Sequence, residues 1–411
     1  MTSKGSRVLS VDAARGFALV CMVLSHFTVF YSTKSVSDTF TIFFFEYLLA
    51  GWGAGAFLMM MGMSQVFSGR GPGGEDSLRL FKKAFFRGGY LFGVGLIMLF
   101  LAMGPGMLWR WDILTLMGFA TIILFFFRFF SSWLLVALSV AIAVITPYLR
   151  RMVDIAGEWG GAFEQAPFIS KYLPGMFVEP VSDYSAAWEF GKIIKGFFLA
   201  GDFPVLPWLM FPVIGLLMGR RIIQGKMRHD LPKFFALGFL LLCLGFGFAY
   251  LGGSKPADSV VGDLVSPFCF YPDSFSMISA QVGMSIIALS LFYFFFDVRK
   301  KEGTTLGPTT RLLVRTSNFA LTFYFLHYLM IGWPLLGVYL FTGKYPHMEG
   351  NYYNLMDVFP ALLCGIGALA ILEIGIFFWE RKGSKYSLEW ILEVLTARIV
   401  PGYQRSIRKM T

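Results

Sequence analysis

The sequence predicts an all-α integral membrane protein of about ten transmembrane helices, with both termini cytoplasmic and an amphipathic interfacial helix near the C-terminus. Three observations predict it. First, 56% of the 411 residues are hydrophobic and only 15% are charged, a balance outside the range of ordinary soluble domains. Second, ten apolar runs are long enough, or nearly so, to cross a hydrocarbon core of about 30 Å. They fall near 13–31, 40–67, 84–103, 113–130, 132–147, 203–219, 233–252, 276–296, 318–341 and 357–379. These runs are continuous rather than alternating, so helices are the way for their backbone to satisfy itself in lipid. Third, 26 of the 35 Lys and Arg residues fall on the side of the membrane that carries the termini when ten spans alternate. By the positive-inside rule that side is the cytoplasm. The net charge of +10 is divided among separate loops, which fits anionic lipid and gives no support to a nucleic-acid partner.

The first run, VDAARGFALVCMVLSHF, holds Arg15 and His26. Polar groups of this kind are costly in hydrocarbon and mark a functional position or a partnered one. At about 100° per residue the two lie within roughly 20° of one helix face, about 16 Å apart along the axis. Arg15 therefore stands near the cytoplasmic surface and His26 past the midplane. Asp12, three residues before Arg15, offers a local ion pair; a guanidinium in this place also suits a phosphate. Arg87, near the start of the third run, is a second candidate for such a clamp.

The second run ends GWGAGAFLMMMGMSQ, where Gly51, Gly53, Gly55 and Gly62 permit close helix approach or room for a slender chain. The third run follows the loop SGRGPGGEDS (68–77), a flexible cytoplasmic turn. Asp112 opens the fourth run as an interfacial N-cap candidate. The segment 148–202 is too long for a turn and too short for a stable domain, and its composition suits interfacial helices over an outer cavity. The sixth run enters through GDFPVLPWLMFP, with Pro204, Pro207 and Pro212, a broken helix entry that is tolerated where protein or a cavity covers it. The ninth run carries His327 about 14 Å from its cytoplasmic end, a depth close to that of His26, so the two imidazoles are candidates to share one cavity. Glu46 and Glu373 are further in-span acids. The four cysteines show no CxxC spacing and read as apolar fillers. Residues 1–380 form one membrane domain, and 381–411 form a cytoplasmic tail whose SKYSLEWILEVLTARI segment reads as an interfacial helix.

From the residues alone His26 and His327 are the candidate catalytic groups, and two readings stand: a transporter or flippase of an anionic lipid or glycan, which needs the buried Arg but no donor, and a bis-His haem electron carrier. Asp12, Trp52, Asp112 and Asp202 are the candidate substrate contacts, and no metal site is predicted.

SVDAARGFALVCMVLSHF resembles the opening of the transmembrane acyltransferase superfamily, with an Arg followed eleven residues later by a His. GAGAFLMMMGMS is similar to the glycine-containing second-helix motif of that group. DFPVLPWLMFPVIGLLMGR and FYFLHYLMI look like segments of the bacterial relatives of heparan-α-glucosaminide N-acetyltransferase, and SLEWILEVLT is similar to a tail motif of related membrane proteins. The segment 148–202 departs from the family pattern. The resemblance implies transfer of an acyl group, acetyl foremost, from cytoplasmic acyl-CoA or acetyl-CoA to a hydroxyl or amine on the outer side. It places Arg15 and Arg87 at the donor and a mid-membrane His at the proton transfer, with a covalent acyl-His as the variant route. The acceptor it implies is a glycan or lipid-linked sugar, and the location the inner or plasma membrane. The lipid bilayer is the other partner, and a homo-oligomer is a candidate assembly.

Overall fold

A chain this apolar folds by burying one stripe of each helix against its neighbours and leaving the other to lipid. The computed structural model describes residues 8–33, 40–45, 49, 51–67, 77–153, 163–165, 178–180, 188–252, 262, 264–269, 273–299, 306–343 and 353–400. Glu46, the loop 68–76, the interior of the outer segment 148–202 apart from two short strands, and the tail beyond 400 lie outside the described residues.

Among the described residues, eight helices are long and apolar enough to cross a membrane: Leu9–Tyr31, Ser77–Met103, Ser132–Met152, Phe190–Ile223, Met227–Gly252, Phe275–Val298, Ala320–Thr342 and Val358–Arg381. Two shorter apolar helices, Gly51–Phe67 and Ile113–Phe127, occupy the second and fourth predicted runs. We number the elements used below in chain order: α1 (Leu9–Tyr31), α2 (Gly51–Phe67), α3 (Ser77–Met103), α4 (Ile113–Phe127), α5 (Ser132–Met152), α6 (Met210–Ile223), α7 (Met227–Gly252), α8 (Phe275–Tyr293), α9 (Pro308–Asn318), α10 (Ala320–Thr342), α11 (Val358–Arg381) and α12 (Leu388–Ile399). The fold is all-α and membrane-spanning, with one small addition. Phe163–Gln165 and Val178–Pro180 pair as an antiparallel ribbon within the outer segment, where the sequence suggested interfacial helices.

Helix α1 is the hub. It packs against α2, α8, α9, α10 and α11, and Ala14, Leu19 and Val23 along it are fully buried. Its N-cap residue, Val8, has no side chain that can cap, so the first backbone N–H groups need an outside partner. Asp297 supplies it, accepting from Leu9 N at 3.2 Å and Ser10 N at 2.9 Å. Helices α2 and α6 cross backbone to backbone. A Cβ on Gly62 would lie 2.0 Å from the Pro212 carbonyl oxygen, and one on Gly215 would lie 2.0 Å from that of Met59. Only glycine permits this approach, the packing use of small residues in lipid.

The broken entry to the sixth run is present. Val205–Trp208 forms a short turn with Leu206 out of helical conformation, and α6 begins at Met210. Here Asp202 N donates to the Arg110 carbonyl at 2.7 Å and Phe203 N to that of Trp111 at 3.0 Å, so residues 202–203 run along the 110–111 turn. The tail helix α12 is built as the sequence suggests and capped by Ser387, whose hydroxyl accepts from Trp390 N at 3.1 Å. It docks against α3 and α10.

Candidate active site

Four polar stations, on α1, on α10 and at the turns of residues 112 and 202, form a string. Its first station is Arg15. The guanidinium donates to Ser64 Oγ on α2 at 3.1 Å and to Ser317 Oγ on α9 at 3.4 Å, and it lies 3.6 Å from Asp12 Oδ1. Ser317 donates in turn to Asp12 at 3.4 Å. The Arg15 side chain keeps 22% of its surface exposed. The sequence-level ion pair with Asp12 is thus formed, and it also ties three helices together without sealing the cation.

The second station is the histidine pair. His26 Nδ1 and His327 Nε2 are 3.0 Å apart, and the rings stack with centroids 5.2 Å apart. His327 is fully buried on α10. A hydrogen bond between two imidazoles needs one N–H and one bare nitrogen, so the pair shares a proton at this contact. Among the described residues the other ring nitrogen of His26 has no hydrogen bond, and the ring is flanked by Phe30 at 5.2 Å and Tyr328 at 5.5 Å between centroids. The two nitrogens are in direct contact, with no gap between the rings at this point.

The third station is Asp112, 3% exposed. One carboxylate oxygen caps α4 by accepting from Leu114 N at 2.9 Å, and the other accepts from Tyr324 at 2.7 Å and Tyr328 at 3.3 Å. Both tyrosines contact His327, with ring centroids at 5.0 and 4.5 Å. Tyr328 also reaches His26, so it stands between the acid and the histidines. The N-cap role predicted for Asp112 holds, but it uses only half the carboxylate. Trp111, just before it, takes a left-handed conformation with φ 61° and ψ 74°. A bulky residue there is strained, and such strain gathers where a turn is held for function.

The last station is Asp202, which pairs with Arg110 Nε at 2.9 Å. Two predicted residues stand away from the string. Arg87 pairs with Glu393 of α12 at 3.3 Å, so it holds the tail helix. Trp52 packs in the core against Phe17, with centroids 5.9 Å apart, and its carbonyl accepts from Ser285 at 3.2 Å. Glu373 accepts from Thr316 and serves as a tie between α11 and α9.

Sequence reasoning missed Tyr324 and Tyr328, which flank His327 in FYFLHY and were hidden by the aromatic richness of that run. It also missed Glu389. This residue of α12 accepts from Leu321 N at 2.6 Å, Thr322 N at 2.9 Å and Thr322 Oγ1 at 2.5 Å. Burial pushes its carboxyl above the usual range, and those hydrogen bonds pull it back.

Fold and site together define a polytopic membrane protein with a titratable pair at its core and polar approaches from both ends. The profile of the heparan-alpha-glucosaminide N-acetyltransferase catalytic domain matches residues 7–246, more than half of the chain. The chain belongs to that family of membrane acyltransferases. The matched span includes Asp12, Arg15, His26, Trp52, Arg87, Asp112 and Asp202 and ends before His327. No curated protein matches the chain.

Proposed function

We propose that this protein transfers an acyl group, acetyl foremost, from acyl-CoA to a hydroxyl or amine of a glycan or lipid-linked sugar on the opposite side of the membrane. The observation that carries this reading is the His26–His327 bond within the polar string from Arg15 to Asp202. The donor phosphates sit at Arg15, on the cytoplasmic side assigned by the basic loops, in a plasma or inner membrane. The pantetheine arm runs inward along α1, and the acceptor comes from the Asp112 side.

The chemistry follows from the tautomers. With His26 Nδ1–H donating to His327 Nε2, the His26 Nε2 lone pair is left as the base. His26 takes the proton from the attacking hydroxyl or amine as its oxygen or nitrogen bonds to the thioester carbon. The C–S bond then breaks and the leaving thiolate is reprotonated, giving CoA and the acylated acceptor. His327 holds the tautomer and shares the charge that forms on His26. Asp112 fixes Tyr324 and Tyr328 against the pair, which holds both rings in place.

The test uses proteoliposomes with acetyl-CoA outside and D-glucosamine sealed inside. Acetylated glucosamine accumulating in the lumen, identified by mass spectrometry and absent from protein-free vesicles, is the expected result. Turnover of acetyl-CoA with no luminal product would overturn transfer across the membrane. No turnover, with movement of an anionic lipid between leaflets instead, would favour the flippase reading. A reporter fused at Thr411 should read as cytoplasmic.

A further inference from the structure

Two polar atoms beyond the Asp202 turn are buried and have no hydrogen-bond partner among the described residues: Asp273 Oδ1 and Arg150 Nη2. Both belong to side chains that are otherwise held firmly. Asp273 is 2% exposed, and its Oδ2 accepts from Trp208 Nε1 at 2.5 Å. Arg150 donates from Nε to the Leu199 carbonyl at 2.7 Å and from Nη1 to the Asp273 carbonyl at 2.5 Å. The guanidinium is thus bonded to the main chain of Asp273. Its remaining nitrogen makes no bond to the carboxylate of the same residue. A buried carboxylate and guanidinium this close ordinarily join in a charge-assisted pair. Here each keeps one functional atom uncommitted.

Their place in the fold connects them to the site. Asp112 touches the tyrosines beside the histidine pair. Two residues back along the same turn, Arg110 pairs with Asp202. Phe203, next to Asp202, packs on Trp208 with ring centroids 4.8 Å apart, and Trp208 bonds Asp273. Each link is a peptide step or a direct contact. Trp109, beside Arg110, brings a third buried donor without a partner, its Nε1. It stands edge-on to Trp188, which is 67% exposed, with centroids 5.2 Å apart.

We propose that Asp273 and Arg150 form a subsite that reads the hydroxyl groups of the acceptor, seating a sugar ring at the far end of the string that leads to His26. The proposal rests on the acyl-transfer reading. A hydroxyl both donates and accepts, so neighbouring hydroxyls satisfy an open carboxylate oxygen and an open guanidinium N–H together. The match holds whether Asp273 is ionised or protonated, and burial does push its carboxyl well above the ordinary range. A lone anion would meet Asp273 and Asp202, and a lone cation would meet Arg150 and Arg110. A neutral polyol is opposed by neither. The indoles of Trp109 and Trp188 offer apolar surface to the C–H face of a pyranose.

The test compares two amine acceptors of similar ring size, D-glucosamine and cyclohexylamine, with purified full-length protein and acetyl-CoA. Wild type should prefer glucosamine by about 10- to 100-fold in kcat/KM, the range expected for hydrogen bonds to charged groups. Asp273→Ala and Arg150→Lys should each raise the glucosamine KM about tenfold and collapse that preference, with the KM for acetyl-CoA unmoved. Asp273→Asn keeps an acceptor for Trp208 and should lose less. If the pair holds only a bridging water, the variants leave the preference intact, and the proposal fails. It fails equally if the variants weaken donor and both acceptors alike, or if wild type turns over acetyl-CoA without using glucosamine. A wild-type protein that never turns over acetyl-CoA would instead overturn the acyl-transfer reading beneath it.

Discussion

Helix α10 carries two buried polar centres, and they are completed in opposite ways. At its start, Glu389 from α12 accepts from Leu321 N, Thr322 N and the Thr322 hydroxyl, and Thr322 Oγ1 accepts in return from Leu388 N at 2.9 Å. The two backbone donors are among those a helix start leaves without partners. About one and a half turns further on, His327 bonds His26, and among the described residues the outer nitrogen of His26 has no hydrogen-bond partner. A saturated polar cluster holds two elements together and has nothing left for a ligand. An unsaturated one costs stability and keeps a lone pair for chemistry. The difference separates structural glue from a site on one and the same helix.

The sharpest way to break this comparison is at the open centre. His26→Ala should lower the transfer rate about 100-fold or more, measured with acetyl-CoA and glucosamine, while CoA affinity and thermal stability change little. Near-normal turnover in folded His26→Ala protein would make the pair structural after all. At the closed centre the effect should fall on stability instead. Glu389→Ala removes three hydrogen bonds to one carboxylate and frees two backbone donors at the start of α10. A loss of about 2 kcal/mol in detergent is expected. It should appear as a lowered unfolding midpoint, with the acetyl-CoA KM unchanged in whatever protein remains folded.

The smallest effect sharpens the donor end. Arg15 is intermediate between the two centres, partnered by Asp12, Ser64 and Ser317 yet 22% exposed. Arg15→Lys keeps the charge and loses the fork that grips a phosphate. CoA affinity by calorimetry should fall about tenfold, or about 1.4 kcal/mol, with insertion and folding intact. Equal affinities for wild type, Arg15→Lys and Arg15→Ala would assign Arg15 to packing with Asp12 alone.

The fold was legible because lipid imposes it. Each apolar run has to be a helix, and all ten runs contain one. The Arg15/His26 spacing was legible because a helix turns a fixed angle per residue, so two residues far apart in sequence share a face wherever the helix packs. The Asp112 cap was visible as a side chain before an apolar run. These are local facts, and the sequence states them directly.

The pairings across helices needed the folded chain. His26 and His327 are 301 positions apart, and their depths could be matched without showing that the rings touch. Arg87 could be placed near the membrane surface, but its partner Glu393 lies 306 positions away on α12. Tyr324 and Tyr328 look like two more aromatics of an aromatic run until Asp112 arrives from α4 to bind both hydroxyls. Sequence alone determined that this chain spans a membrane, where its polar residues stand in depth and which of them share a helix face. Tertiary structure decided which polar groups are used up by neighbours and which are left open. The first depends on one helix's own geometry and the cost of polar groups in hydrocarbon. The second depends on which atoms of separate helices come within about 3 Å, and local pattern does not encode that.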